Sequence, residues 1–330
     1  MRVAVVGAGA TGARATRQLA ATDEVDSVAV CDTDADRPRL LHEAMPDRVT
    51  VLAPEDLDRA EVDVAVLGLP SGDQLELARS FVSRGIGVVS TSDGIEDARH
   101  LLALDPWCRD QGVAVVAGAG FSPGFSCLLA RHAASGFEEV DEVHVAKVGT
   151  GGPACARQHH RALGGIAVDW RDGEWTERPA GSGRELCWFP EPVGGVDCYR
   201  AALADAVLLH PAFPGARRLT GRLGATRRDR LTARLPMLRP PHPEGGPGAL
   251  RVEVRGVREG RRDTQVLGAM DRPAVAAGAV AAVSAIWMGQ GRIRPGAHGL
   301  ATAAGDDVIG VLTELARRGV RAAVFEGVDA

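Results

Sequence analysis

Residues 2–20 read RVAVVGAGATGARATRQLA. The stretch is an apolar β-branched run, then a glycine-rich turn, then an amphipathic segment with helical spacing. Gly7, Gly9 and Gly12 stand in the spacing G-x-G-x-x-G. Three physical needs explain that spacing: a tight turn, close approach of backbone to a pyrophosphate, and close packing of helix on strand. A helix opening there presents unpaired N–H groups and the positive end of its dipole to the anion. Asp32 lies 20 residues after Gly12, at the end of the next apolar run SVAVC (27–31). A carboxylate at that place bonds the ribose hydroxyls of a dinucleotide. Gly7, Gly9, Ala10, Thr11, Gly12 and Asp32 are therefore the expected cofactor residues.

The rest of the first 120 residues repeats the theme. Short apolar runs at 49–52, 63–68, 86–91 and 113–117 are separated by helical segments at 72–84 and 94–111. Runs without alternation suit strands buried on both faces of a parallel sheet. The expected fold class is α/β, a doubly wound parallel Rossmann sheet. LGLPSG (67–72) and STSDG (90–94) end two of these strands. Leu69, Pro70, Ser71 and Ser92 would then face the ligand crevice at the carboxyl edge. Helix capping is the competing role for the serines. Asp32 favours NAD, since it repels a 2′-phosphate, while Arg37 and Arg39 keep NADP open.

The pattern changes after residue 125. FEEVDEVHVAKVGTGG (137–152) reads as a longer strand with polar alternation, and 249–270 as a hairpin with one wet face. The region 235–250 is too rich in proline and glycine for an element interior. Pro273 opens a helix that ends near Gly289 and Gly291, and another helix follows near 306–318. The expected division is a dinucleotide-binding domain at 1–125, a substrate and oligomerisation domain on an open mixed or antiparallel sheet at 126–270, and C-terminal helices at 271–330 packing back on the first domain.

Composition excludes several classes. The chain has 330 residues, 38 Lys and Arg against 43 Asp and Glu, and a net charge of −5. No basic field draws it to nucleic acid or to a membrane surface. The longest apolar run, 274–288, is too short to span a bilayer. A cytoplasmic location is expected. The six cysteines form no C-x-x-C pair, so neither a disulfide framework nor a metal site is expected.

VAVVAGAGFSPGFSCLLARH (113–132) begins like a second cofactor turn. Its third glycine is replaced by Pro123-Gly124, and no acid follows at a strand end. It is better taken as the last strand handing over to a helix at the crevice, with Ser122 as N-cap, Pro123 at the first helical position, and Gly120 against the cofactor. Together with the first turn and VVSTSD, this stretch resembles the saccharopine dehydrogenase-like oxidoreductases. The Pro-Gly turn is similar to that of diaminopimelate dehydrogenase-like enzymes. LCWFPEPVGGVDCYR (186–200) resembles the later part of the first family. The resemblance implies NAD(P)-dependent hydride transfer at the nitrogen-bearing carbon of an amino acid or imine. The exposed edge of the second-domain sheet offers a dimer surface, and a homodimer is expected. Where the diaminopimelate dehydrogenase-like turn carries Asp before the proline, this chain has Ser122.

An amino-acid substrate needs Arg forks for its carboxylates and a group that moves a proton. GTGGPACARQHHRALGG (149–165) offers Arg157, His159, His160 and Arg161, and Lys147, the chain's single lysine, lies just before it. His159, His160 and Lys147 are the catalytic candidates. Ser122, Arg157, Arg161, Tyr199 and Arg200 are the substrate-binding candidates. For each, an ordinary surface or packing role competes. The His-His pair also resembles the H-H-x-x-K of dihydrodipicolinate reductases, but Leu163 stands where the lysine belongs. A sugar oxidoreductase of the glucose–fructose type would carry Glu-Lys-Pro where this chain has STSDG. A non-catalytic NAD(P)-binding protein and a non-redox lyase or condensing enzyme with bound NAD stay open.

Overall fold

A computed structural model describes residues 1–72, 74–237 and 240–325. The first sheet is built from β1 (Arg2–Val6), β2 (Ser27–Cys31), β3 (Val49–Val51), β4 (Val64–Leu67), β5 (Gly87–Ser90) and β6 (Ala114–Ala117). Between them run α1 (Ala10–Ala20), α2 (Asp36–Ala44), α3 (Leu75–Ser83), α4 (Ile95–Leu102) and α5 (Asp105–Asp110). Every strand pair in this sheet is parallel. The valines of β1, β4 and β5 are almost fully buried, as a sheet covered on both faces requires.

Two local expectations are corrected here. The segment 94–111 is two helices, broken at Ala103–Leu104 ahead of Pro106. Ser122 is not an N-cap: the Ser122–Pro123 bond is cis, and α6 (Phe125–Ala134) starts after Gly124. The turn closes on itself instead. Gly120 N donates to Pro123 O at 3.0 Å, and Phe125 N donates to Gly120 O at 2.9 Å.

The second sheet is mixed. Its strands are β7 (Glu139–Val148), β8 (Ile166–Arg171), β9 (Glu174–Pro179), β10 (Glu185–Trp188), β11 (Gly195–Arg200), β12 (Arg218–Gly224), β13 (Gly248–Arg258) and β14 (Arg261–Asp271). Helices α7 (Pro153–Ala162), α8 (Asp205–Leu209) and α9 (Arg227–Thr232) connect them. β7 lies at its centre, parallel to β12 and antiparallel to β13. β13 and β14 form the hairpin read from the sequence, turning at Glu259-Gly260. Helix α6 packs against β7, β13 and β14.

The chain then returns to the first sheet. Helix α10 (Pro273–Gly289) is apolar all round and buried along nearly its whole length. It lies against α1, with Gly278 so close to Arg14 that a Cβ there would sit 2.5 Å from the Arg14 Cβ. β15 (Gly296–Gly299) then adds a seventh parallel strand beside β6, which no hydrophobic run in the sequence announces. Helices α11 (Leu300–Ala303) and α12 (Val308–Arg317) follow, and β16 (Ala323–Val324) pairs with β14. Among the described residues, no helix is long and apolar enough to cross a membrane.

Candidate active site

A cleft of about 630 Å³ opens at the carboxyl edge of the first sheet. One wall is the glycine turn, from Ala8 to Thr11. Gly7 and Gly12 stand behind it. A Cβ on Gly12 would lie 1.8 Å from Gly7 O, so no other residue fits. Leu69, Pro70, Ser71, Ser92 and Gly120 all line the cleft. The Ser92 hydroxyl is already committed, donating to Asp97 Oδ2 at 2.5 Å and accepting from Gly94 N at 3.2 Å.

Asp32 stands directly after β2. Its Oδ2 accepts from Ala8 N at 2.6 Å, and its Oδ1 from Asp34 N at 2.9 Å. Arg37 Nη1 lies 3.5 Å from Asp32 Oδ2 and also pairs with Asp34. The carboxylate thus ties the turn to the second strand, and it is Arg37, not Asp32, that lines the cleft.

The opposite wall comes from the second sheet. The entry to α7 crosses directly over the glycine turn: a Cβ on Gly152 would sit 2.8 Å from the Ala10 Cβ. Lys147, near the end of β7, is 3% exposed. Its Nζ donates to Ser122 O at 2.6 Å and lies 3.4 Å from Asp93 Oδ2. The same carboxylate oxygen is 3.0 Å from His159 Nε2, and Cys155 Sγ is 3.6 Å from that nitrogen. Asp93, Lys147, Cys155 and His159 all line the cleft, with Ser122 and Arg157 beside them.

Charge couples these groups. Burial alone would raise the Asp93 carboxyl, but Lys147 and His159 hold it well below the ordinary carboxylate range. Burial would lower the His159 imidazole, yet Cys155 and Asp93 bring it up to about 9, against the further opposition of Lys147. Burial opposes ionisation of Cys155, and His159 outweighs it, so the thiol is lowered. Lys147 and His159 thus form two ion pairs with the one Asp93 carboxylate.

Several sequence candidates lie elsewhere. His160, one residue past His159, turns away from the cleft, and its Nε2 meets Leu235 O at 3.0 Å. Arg161 is exposed and bonds Gln158 at 3.1 Å. Both follow from helical geometry, which puts residues 155 and 159 on one face and 160–161 on another. Tyr199 and Arg200 sit on β11 and do not line the cleft. Tyr199 packs under Arg230, whose guanidinium carbon is 4.1 Å from the ring centre. Arg200 faces Asp169, with 3.8 Å between charged atoms. Ser122 contributes its carbonyl, while its hydroxyl donates to buried Asp205 at 2.6 Å. Two cleft residues were missed in the sequence, Asp93 and Cys155. Asp93 stands in STSDG at the carboxyl end of β5, and Cys155 lies one helical turn before His159. Those positions were the available signals.

Comparison with known proteins agrees with this fold. Residues 2–113 match the NAD-binding domain of semialdehyde dehydrogenase. The apo saccharopine dehydrogenase (L-Glu forming) of Saccharomyces cerevisiae superposes with a TM-score of 0.73 at 16% identity, over 98% of this chain and 100% of that one. The fold is that of the NAD(P)-dependent oxidoreductases. Two further structures share the dehydrogenase fold more loosely. The DAP dehydrogenase of C. glutamicum in complex with DAP has a TM-score of 0.53 and 17% identity, over 94% and 98% of the two chains. The amine dehydrogenase of Mycobacterium smegmatis has a TM-score of 0.55 and 14% identity, over 90% and 94%.

Proposed function

We propose that this chain transfers a hydride between a nicotinamide dinucleotide and the nitrogen-bearing carbon of an amino acid or its imine. The observation that carries the reading is Lys147, a buried ammonium held between Ser122 O and Asp93 in the same cleft as the glycine turn. Hydride transfer to an imine needs a positioned proton carrier and a carboxylate anchor, and little else from the protein. Lys147 Nζ is the proton carrier in this reading. Asp93 and His159 orient it, and Arg157 at the cleft wall receives the substrate carboxylate. Residues 1–125 bind the cofactor, residues 126–270 shape the substrate side, and the helices from 271 onward, which line the cleft at Pro273–Val275, close it. Asp32 makes NAD the preferred cofactor in the same reading, with Arg37 neutralised by its two carboxylate partners. Saccharopine, DAP and amine dehydrogenases among the structures of similar fold support the substrate class.

The test is a spectrophotometric screen at the nicotinamide absorbance band. Amino acids are offered with the oxidised cofactor, and 2-oxo acids with an amine donor are offered with the reduced one. Turnover with at least one such pair is expected. Tight NADH binding without turnover on any member would overturn the reading. Product formed with no net change in NADH would point instead to a lyase that keeps its cofactor.

A further inference from the structure

We propose that Asp93, Cys155 and His159 form a metal site for zinc or a similar borderline ion, with an open fourth position facing the cleft. The three donor atoms lie within 4.8 Å of one another. Cys155 and His159 are four residues apart on α7, which stacks them on one face of the helix. Asp93 reaches them from the loop after β5. A tetrahedral zinc ion, with bonds of about 2.0–2.3 Å, separates its donors by roughly 3.3–3.7 Å. The sulfur-to-nitrogen separation of 3.6 Å falls in that range, and the nitrogen-to-oxygen separation of 3.0 Å would open by a few tenths of an ångström around the ion. The set of one thiolate, one imidazole and one carboxylate suits zinc, and three protein ligands with one vacant position are the pattern of catalytic rather than structural zinc.

The hydrogen bonding of His159 gives a second, independent reason. Its Nε2 lies against both Asp93 Oδ2 and Cys155 Sγ. A single N–H can serve one of them well. A cation at the shared centre satisfies all three donors. Among the described residues, the other ring nitrogen, Nδ1, is buried without a hydrogen-bond partner.

Lys147 shapes what such a site would hold. Its Nζ, 3.4 Å from Asp93 Oδ2, places a positive charge beside the ion. Asp93 and Cys155 together cancel a divalent charge, and Lys147 leaves the assembly at +1. The open position therefore selects an anionic fourth ligand, such as a carboxylate or hydroxide. That the carboxylate belongs to an amino-acid substrate rests on the reading in the preceding subsection; the metal site itself does not.

The decisive experiment measures metal, not turnover. Full-length protein is loaded with zinc chloride, dialysed, and assayed for bound metal; a second sample is titrated with cobalt chloride and followed by absorption. One ion per chain is expected for the wild type and for His160→Gln, with a thiolate-to-cobalt charge-transfer band. Cys155→Ser should lose that band and bind at least tenfold more weakly, as should His159→Gln. Lys147→Met should bind more tightly. Equal metal content in wild type and Cys155→Ser, or a cobalt spectrum without the thiolate band, would overturn the site. If His159→Gln does not fold, the band and the Cys155→Ser comparison decide. A wild type that binds metal but turns over no amino acid would sink only the substrate reading.

Discussion

Lys147 Nζ and the carbonyl oxygen of Ser122 meet at 2.6 Å, although 25 residues separate them in the chain. The contact joins the central strand of the second sheet to the turn that ends the cofactor sheet. Substituting Lys147→Met keeps the volume and removes the donor. The expected result is a fall in kcat of about 100-fold or more, the usual contribution of a positioned proton carrier. NADH affinity, read by fluorescence titration, should change by no more than a few-fold. A variant with unchanged kcat would remove Lys147 from the chemistry.

Asp32 stands directly after β2 and accepts from Ala8 N at 2.6 Å. Replacing it by alanine removes the repulsion toward a 2′-phosphate and frees Arg37 to attract one. The ratio of NADPH to NADH affinity should rise at least about tenfold, since like-charge juxtaposition costs several kcal/mol. Competition titrations with the two reduced cofactors read this directly. An unchanged ratio would show that Asp32 serves only to hold the turn.

Asp205 is fully buried and accepts from the hydroxyls of Ser122 at 2.6 Å and Ser126 at 3.0 Å. Alanine at this position leaves two buried hydroxyls without an acceptor. A stability loss of about 1–3 kcal/mol is expected, measured by denaturant unfolding. Turnover should fall too, because the same turn presents Ser122 O to Lys147. Full activity in a destabilised variant would separate the two roles.

On the second sheet, Glu253 lies between Arg251 and Arg255, with closest approaches of 2.5 Å to each. Burial opposes its ionisation, but the two arginines prevail and lower its pKa below the usual glutamate value. A group depressed in the folded state stabilises above its unfolded pKa and loses that contribution as pH falls through the folded one. Glu253→Gln should therefore cost about 1 kcal/mol at pH 7, discounted for partial exposure of the arginines. The gap from wild type should close as the pH drops below the ordinary glutamate range. Thermal unfolding from pH 7 to pH 3 measures it; a gap independent of pH would mean that charge is not its source.

Glycine spacing and unbroken valine runs were enough to read the parallel sheet, because a strand covered on both faces has no polar alternation to show. They were enough for the tight glycine turn as well: a Cβ on Gly12 collides with Gly7 O whatever the rest of the chain does. Helix α10 and the β13–β14 hairpin were legible for similarly local reasons, an N-terminal proline in one and alternation with a turn in the other. β15 was not, since GAHG carries no strand signal and is recruited by the exposed edge of β6.

The opposite wall of the cleft was legible only in part. The sequence placed Lys147, Arg157 and His159 near one loop, but could not say which of two adjacent histidines turns inward. That choice depends on how α7 docks over the glycine turn at Gly152 and Ala10. Nor does local pattern join Asp93 to His159, 66 residues away, or bring Cys155 to the same centre. Backbone propensity and periodicity act over a few residues, and they determined the sheet and the glycine turn. The cluster of Asp93, Lys147, Cys155 and His159 arises where two sheets meet, and only tertiary packing sets distances between groups so far apart in the chain.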